Sequence, residues 1–155
     1  MEKIFMELAV EEALEAIEKG AGGPYGAVIV KGYRIIAAGH STVLKTNDPT
    51  AHAEMNVIRL ATKLLGRQDL GDCVLYTSSK PCPMCLSAAM LAGIKEIYYG
   101  CEREEVECLG LTATVVYDYF INPKNHEEIL KLNCFFYDEA EVVFKKWEAK
   151  KDESK

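Results

Sequence analysis

The sequence predicts an α/β protein, a three-layer α/β/α sandwich in which helices cover both faces of a mixed β-sheet. Two β-rich runs, residues 25–31 and 35–39, flank a Gly-Tyr turn and indicate an antiparallel hairpin. After this hairpin, helix-like and strand-like segments alternate along the chain. Because such alternation joins parallel strands through crossover helices, the hairpin and the crossovers together predict a mixed sheet between two helical layers.

An amphipathic helix precedes the hairpin, and Gly20 ends it. Its apolar residues recur at intervals of three and four: Ile4, Phe5, Leu8, Ala13, Leu14 and Ile17. A polar loop over residues 44–49 follows the hairpin. The sequence Asp48-Pro49-Thr50 then signals the start of a second helix over residues 52–65. Its candidate core positions are Met55, Ile58, Leu64 and Leu65.

The remaining elements alternate in the same way. Their predicted order is a strand at 73–78, a helix at 81–92 that Gly93 stops, a strand at 94–101, a loop at 102–110, a helix at 114–121, a short strand at 133–137 and a final helix at 139–150. No internal repeat, linker or low-complexity segment divides the sequence. We therefore interpret residues 1–155 as a single domain, long enough to enclose a full hydrophobic core.

Composition excludes several functional classes. Apolar residues make up 49% of the chain and charged residues 27%, which is typical of a globular protein. The apolar runs are much shorter than the roughly 18 residues needed to span a bilayer. Glutamates interrupt the apolar positions of the N-terminal helix, so that helix does not resemble a signal peptide. A cytoplasmic protein without a membrane partner is the expectation.

Charge argues against a dedicated nucleic-acid binder. The formal net charge is −6, whereas such proteins present a basic surface to phosphates. Nucleic acid is therefore not an expected partner. In a chain without a secretion signal, the six cysteines are expected to be reduced thiols, some of them bound to metal.

Two short motifs carry the chemistry. His52 belongs to Ala51-His52-Ala53-Glu54, and two thiols stand in Pro81-Cys82-Pro83-Met84-Cys85. Cys82 and Cys85 are three residues apart, so a first helical turn places both side chains on one face. One imidazole and two thiolates suit zinc, and three protein ligands leave a tetrahedral zinc one position for water.

Glu54 follows His52 by two residues on the same predicted helix. A carboxylate at this spacing can reach water at the metal without ligating the metal, take its proton and pass that proton to a leaving group. The sequence therefore predicts a hydrolase with Zn2+ as its cofactor, His52, Cys82 and Cys85 as zinc ligands, and Glu54 as the catalytic residue.

Two other interpretations of the motifs compete with catalysis. A structural zinc site needs a fourth protein ligand, which would have to be Cys73, His40 or another remote residue. A redox pair formed by Cys82 and Cys85 would leave the nearby imidazole and carboxylate without a role.

The two motifs together resemble the zinc-dependent cytidine and nucleobase deaminase superfamily, whose signature is His-x-Glu followed by Pro-Cys-x-x-Cys. The resemblance covers roughly residues 1–123. Residues 22–28, 47–54, 75–78 and 81–85 are most similar to the small single-domain guanine deaminases. The chain length and the final helix bearing Trp147 are also similar to that group.

This resemblance implies a five-stranded sheet flanked by helices and a homodimer. In some members the C-terminal segments, here about residues 124–155, are exchanged between subunits and help to close the active site. The implied reaction is hydrolytic: water adds to an amino-bearing ring carbon of a free nucleobase or nucleoside, and ammonia leaves. By the same resemblance, His52, Cys82 and Cys85 hold zinc and Glu54 moves the protons.

Substrate recognition departs from the guanine deaminase pattern. Ser41 stands where the superfamily commonly has a base-binding asparagine, and Ala113 stands where guanine deaminases have an acid. A C-terminal tyrosine of that group is also missing, because the chain ends at Lys155. The predicted substrate contacts are Ser41, Ala53, Pro81, Ala113 and Tyr25.

These departures leave other substrates open. A site built to read guanine without these polar groups would discriminate poorly, because buried polar pairs set such selectivity. Cytosine, isoguanine, a pterin or a triazine are alternative substrates. A tRNA adenosine deaminase shares both motifs but is expected to have a basic surface, and a non-catalytic zinc-stabilised binding module has no need of Glu54.

Overall fold

The computed structural model describes residues 2–111, 114–122 and 128–153. The chain divides into two units, residues 1–117 and residues 118–155. The first unit contains helix α1 (Lys3–Glu18), strands β1 (Gly26–Lys31) and β2 (Arg34–His40), helices α2 (Val43–Thr46) and α3 (Ala53–Leu65), strand β3 (Val74–Ser79), helix α4 (Pro83–Leu91), strand β4 (Ile97–Cys101) and helix α5 (Arg103–Glu107). Helix α6 (Thr114–Ile121) spans the division, and α7 (Tyr137–Glu153) lies in the second unit.

The sheet is mixed, in the order β2-β1-β3-β4. Strand β1 pairs antiparallel with both β2 and β3, and β3 pairs parallel with β4. Strands β2, β3 and β4 therefore run in one direction, and β1 runs against them. This arrangement confirms the predicted hairpin and the crossovers that follow it.

Alternate residues of β1 face opposite layers, as the period of a strand requires. Ala27 and Ile29 pack with buried residues of α3 and α4, whereas Val28 and Val30 pack with Phe5 of α1. Helices thus cover both faces, and the three-layer α/β/α architecture is confirmed. A side chain at Gly26 would put its Cβ 2.0 Å from the carbonyl oxygen of Ala9, so glycine there permits α1 to lie directly on the sheet.

The sheet has four strands among the described residues, so the five-stranded prediction is wrong. Residues 133–137 form no strand, and Tyr137 is the first residue of α7. Phe136 has a φ of +63°, outside the extended region, and its carbonyl accepts a hydrogen bond from Ala140 N. Phe135 is 88% exposed, so this aromatic run has none of the burial that a strand in a sheet would give it.

Three smaller expectations also change. Leu64 is not a core residue, because 62% of it is exposed, although Ile58 is buried as expected. The predicted loops at 44–49 and 102–110 contain the short helices α2 and α5. A capping box between Glu102 and Glu105 starts α5, since each side chain accepts a hydrogen bond from the other residue's backbone N–H.

The second unit is mostly helical in its described part, and the helix predicted at 114–121 is present as α6. Helix α7 has no buried residue, and its large apolar side chains are exposed: Val142, Val143, Phe144 and Trp147. No helix in the part of the chain that the structure describes has both the length and the apolar character to cross a bilayer.

Candidate active site

A cavity of about 470 Å³ opens at one edge of the sheet. Because β2, β3 and β4 run in the same direction, their carboxyl ends meet at this edge, where α/β proteins commonly bind ligands. Residues just after each of these strands line the cavity: Ser41 after β2, Lys80 and Cys82 after β3, and Arg103 after β4.

Both sequence motifs meet in this cavity at the start of a helix. His52 is the N-cap of α3, and Cys82 is the N-cap of α4. Helix α4 begins at Pro83 rather than at the predicted Pro81, because Cys82 has the extended backbone of an N-cap; proline suits the first helical position, where its missing N–H is not needed. Cys85 follows in the first turn and faces the same side as Cys82.

The three potential ligand atoms converge. His52 Nδ1 lies 3.6 Å from Cys82 Sγ and 3.6 Å from Cys85 Sγ, and the two sulfurs are 3.7 Å apart. A tetrahedral zinc with Zn–S of about 2.3 Å and Zn–N of about 2.05 Å would separate its ligands by about 3.6 Å for S–N and about 3.8 Å for S–S. The donor atoms and their spacing therefore fit a zinc ion.

The cluster has three members among the described residues. The two residues considered as a fourth ligand lie elsewhere: His40 hydrogen-bonds Glu12 at 2.7 Å, and Cys73 Sγ donates to Asp72 at 3.4 Å. The arrangement thus matches a catalytic site that keeps one position for water rather than a closed structural site.

The ionisation of the cluster also suits a metal. The hydrogen bond from Cys85 holds the pKa of Cys82 well below its usual range, so Cys82 is the thiolate of the pair. That hydrogen bond and burial together raise the pKa of Cys85. The hydrogen bond to Cys82 raises the pKa of His52 against the effect of burial. Metal binding therefore releases protons from the cluster.

Glu54 lies beside the cluster but is not part of it. The side chain is buried, with 4% of the residue exposed, and it lines the cavity. Burial raises the pKa of its carboxyl. One oxygen, Oε2, lies 3.5 Å from Cys85 Sγ, and the other, Oε1, lies 3.0 Å from Thr77 Oγ1.

Thr77 can serve Glu54 in either protonation state. Its hydroxyl oxygen lies 3.0 Å from Glu54 Oε1 and 3.2 Å from the carbonyl oxygen of Ser79. A hydroxyl has one proton to donate and can also accept. When Glu54 is ionised, Thr77 donates to it; when Glu54 carries a proton, Thr77 accepts that proton's hydrogen bond and donates to Ser79. The carboxyl therefore keeps a partner while it gains or loses a proton.

Asn56 braces the backbone around the site. Its amide nitrogen donates to the carbonyl oxygen of His40 at 2.9 Å, to Thr42 Oγ1 at 3.0 Å and to the carbonyl oxygen of Ala51 at 3.4 Å. These contacts join α3 to the end of β2 and to the residue before His52. The spacing of residues within the two motifs did not predict these hydrogen bonds of Asn56.

Only some of the predicted substrate contacts line the cavity. Ser41 and Tyr25 line the cavity, and the Tyr25 hydroxyl donates to the carbonyl oxygen of Leu111. Ala53 and Pro81 are buried and are not among the described residues that line it. Ala113 lies outside the described residues.

Arg103 and Tyr117 are among the lining residues that sequence reasoning missed. Tyr117 donates its hydroxyl hydrogen to the carbonyl oxygen of Pro81 at 2.8 Å, beside Cys82. Arg103 stands in the acidic run Glu102–Glu107. A single basic residue among glutamates was the one sequence signal that could have pointed to it. That signal could not show which way the side chain points.

The sequence-family model of the cytidine and deoxycytidylate deaminase zinc-binding region matches residues 1–101 of this chain. The chain belongs to this deaminase family. Its relatives include the guanine deaminase of Bacillus subtilis, 45% identical over 81% of this chain and 80% of that protein. A tRNA-specific adenosine deaminase from Agrobacterium fabrum is 44% identical over 63% of this chain and 64% of that protein.

Solved structures agree with this family assignment. The crystal structure of a guanine deaminase from Bacillus subtilis superposes on this deaminase with a TM-score of 0.89 at 40% identity, over 96% of this chain and 95% of that one. The family and the three converging donors together make this chain a zinc-dependent hydrolytic deaminase.

Proposed function

We propose that this deaminase acts on a free purine base, with guanine as the first candidate: guanine and water give xanthine and ammonia. The likeness to guanine deaminase supports this substrate, because it extends over 96% of this chain at a TM-score of 0.89. A cavity of about 470 Å³ is large enough for a heterocycle, since ligand sites of small molecules start at about 300 Å³.

The observation that carries the proposed hydrolytic chemistry is the convergence of His52, Cys82 and Cys85, with donor atoms 3.6–3.7 Å apart. We assign these three residues as the zinc ligands. When bound, zinc supplies Lewis-acid activation of water near neutral pH. The N-cap positions of His52 and Cys82 fix the donors, because each residue is held at the junction of a loop and a helix.

Glu54 is assigned as the proton carrier. Its carboxyl is buried beside the donors, and Thr77 gives it a hydrogen-bond partner in both protonation states. Burial raises the pKa of this carboxyl, which suits a group that accepts a proton in one step and donates it in the next. Glu54 therefore takes one proton of the attacking water and delivers it to the ring nitrogen. It then takes the proton of the hydroxyl left on the ring carbon and delivers it to the amine, which leaves as ammonia while the carbon becomes a carbonyl.

Ser41 and Tyr25, which both line the cavity, are assigned as substrate contacts. Ser41 follows β2, and Gly22 lies against it, since a Cβ at position 22 would come within 2.4 Å of Ser41 Oγ. Serine is shorter than the asparagine that the superfamily commonly has there. Cytosine, isoguanine, pterins and aminotriazines therefore stay as alternative substrates.

A homodimer is also proposed. The large apolar side chains of α7 are exposed in the single chain, among them Phe144 and Trp147. Exposed apolar side chains of this size commonly mark an interface. The molar mass from light scattering tests the dimer, and a monomer at micromolar concentration would contradict it.

The deciding experiment is ammonia release by the zinc-loaded protein from guanine, guanosine, cytosine, adenine, isoguanine, pterins and aminotriazines, beside a Glu54→Gln control. Turnover of guanine above the other compounds supports the proposal. Turnover of another heterocycle alone would replace guanine as the substrate. Retention of tRNA at moderate salt, followed by inosine formation, would favour the tRNA adenosine deaminase alternative despite the net charge of −6.

A further inference from the structure

The cavity contains an arginine to which neither the motifs nor the proposed chemistry gives a role. Among the described lining residues, the acid is Glu54 and the permanent cations are Lys80 and Arg103. Lys80 already forms an ion pair with Glu102, because its Nζ lies 3.2 Å from a carboxylate oxygen of that residue. Arg103 is therefore the cation whose N–H groups are available to bind a ligand in the cavity.

Two contacts hold the Arg103 side chain in one orientation. Its guanidinium carbon lies 4.1 Å from the centre of the Tyr117 ring, and its Nε donates to Glu107 Oε1. Glu107 Oε1 also accepts a hydrogen bond from Thr114 Oγ1 at 3.0 Å. The Tyr117 hydroxyl is itself anchored to the carbonyl oxygen of Pro81. With 24% of its side chain exposed, Arg103 is a fixed part of the cavity wall.

This arrangement leaves a planar pair of donors. A guanidinium has five N–H groups, and the bond from Nε to Glu107 uses one of them. The other four, on the two terminal nitrogens, form the fork that binds two acceptors side by side. Within the part of the chain that the structure describes, the terminal nitrogens donate no hydrogen bond.

The local charge favours a neutral ligand over an anion. Glu107 offsets the charge of Arg103 directly, and Glu104 and Glu105 lie on the same short helix. A phosphate or carboxylate would gain little from so acidic a neighbourhood. A carbonyl oxygen beside a ring nitrogen gives the fork two neutral acceptors, as in the pairing of arginine with O6 and N7 of guanine in DNA.

We propose that Arg103 is the specificity-determining residue of this deaminase and binds an acceptor edge of the base, a carbonyl oxygen next to a ring nitrogen. This inference rests on the proposed purine substrate. In guanine the O6/N7 edge lies across the ring from the amino-bearing C2, so that edge points away from the metal donors when C2 faces them. In 2,6-diaminopurine an amino donor replaces O6, and two donors would then face each other.

The test measures binding without turnover. Hypoxanthine carries an oxygen at C6, whereas adenine carries an amino group there. Calorimetry measures the binding of each purine to two zinc-loaded proteins, the Glu54→Gln variant and the double variant that also has Arg103→Met. If Arg103 forms a bidentate pair with the base, Arg103→Met lowers the affinity for hypoxanthine by about 5- to 150-fold and changes the affinity for adenine by less than about twofold. Arg34→Met, on the exposed end of β2, is the matched control and leaves both affinities unchanged.

A second variant covers the case in which Arg103→Met fails to fold. Arg103→Lys keeps the charge but loses the planar fork, so the preference for hypoxanthine should fall towards that of Arg103→Met. Zinc content and the circular dichroism spectrum establish that each variant is folded. Equal loss for both purines, or no loss for either, would overturn the proposal.

Two further measurements separate this inference from the proposed function. Ammonia release from guanine by the wild type tests the substrate, whatever the Arg103 variants do. If guanine is not deaminated but the Arg103-dependent preference for hypoxanthine is present, the substrate is wrong and the edge recognition stands. If inorganic phosphate or guanosine monophosphate binds more tightly than hypoxanthine and loses that advantage in Arg103→Met, the arginine serves an anion and the inference is overturned.

Discussion

Thr77 Oγ1 lies 3.0 Å from Glu54 Oε1, so a strand residue holds the carboxyl that sits beside the metal donors. Thr77 is on β3, and its neighbour Tyr76 faces the opposite layer with Phe5. The period of the strand thus directs Thr77 towards α3, where Glu54 stands. The proposed proton carrier is positioned by two elements, its own helix and the central sheet.

The first prediction concerns this contact. Thr77→Val keeps the shape of the side chain and removes the hydroxyl, so Glu54 loses its partner. Since a hydrogen bond to a charged group is worth about 1.5–3 kcal/mol, we expect kcat to fall by about 10- to 100-fold. Zinc content should be unchanged, and ammonia release measures the rate. Thr62→Val, whose hydroxyl bonds the backbone of its own helix, is the control, and an equal loss there would contradict the assignment.

The second prediction concerns Glu54 itself. Glu54→Gln preserves the volume and the neighbouring donors, so the protein should still bind one zinc per chain. Ammonia release should fall by about 100- to 10,000-fold, the usual contribution of a positioned acid or base. Metal analysis and a coupled ammonia assay measure the two properties on the same sample. Substantial residual activity would remove Glu54 from the proton path.

The third prediction concerns metal removal. A chelator should abolish activity and lower the melting temperature, because a ligand that binds only the folded chain stabilises it. Zinc should restore both properties and magnesium neither, since thiolates prefer soft or borderline metals. Cys85→Ser should lose zinc, whereas Cys134→Ser, a change at an exposed thiol, should retain it. Zinc retained in full by Cys85→Ser would contradict the assigned ligand set.

The fourth prediction concerns the brace at Asn56. Asn56→Ala leaves the carbonyl oxygens of His40 and Ala51 and the Thr42 hydroxyl without this donor. We expect the free energy of unfolding to drop by about 1–3 kcal/mol in urea titrations. Zinc affinity, measured by competition with a chelator, should also weaken, because the residue before His52 loses its anchor. Unchanged zinc affinity would limit Asn56 to a role in stability.

The fifth prediction concerns acid stability. Hydrogen bonds from Lys31 and Arg67 hold the pKa of Asp72 well below its usual value of about 3.9. The folded state thus favours the ionised carboxylate, and the stabilisation is present above about pH 4 and is lost as pH falls through the lowered pKa. Asp72→Asn should therefore be less stable than the wild type at pH 7, with the difference shrinking towards pH 3. Urea titrations at both pH values measure this difference, and a difference that did not shrink at pH 3 would contradict the assignment.

Local sequence spacing was sufficient to predict the metal cluster. The three-residue interval between Cys82 and Cys85 and the two-residue interval from His52 to Glu54 each act within one helical turn, where geometry is nearly fixed. The hairpin and the crossovers were predictable for a related reason, because the alternation of periods is visible along the chain.

Contacts over longer distances were not predictable in this way. Arg103 reaches the cavity only because β4 ends at the same edge as β2 and β3, and the brace at Asn56 depends on where the loop after β2 returns. The aromatic run at residues 133–137 has the composition of a strand, but a strand also needs a neighbour to pair with. Short helices such as α5 are set by capping contacts that composition alone does not distinguish from a loop.

The donors for the ion and the arginine at the rim occupy different pieces of backbone. His52 and the two cysteines stand at the starts of α3 and α4, whereas Arg103 begins the five-residue helix α5. On the proposed roles, a substitution in this short segment can alter which base is bound while the residues that hold zinc stay in place. A duplicated copy of the gene could then change its substrate and keep its hydrolytic chemistry.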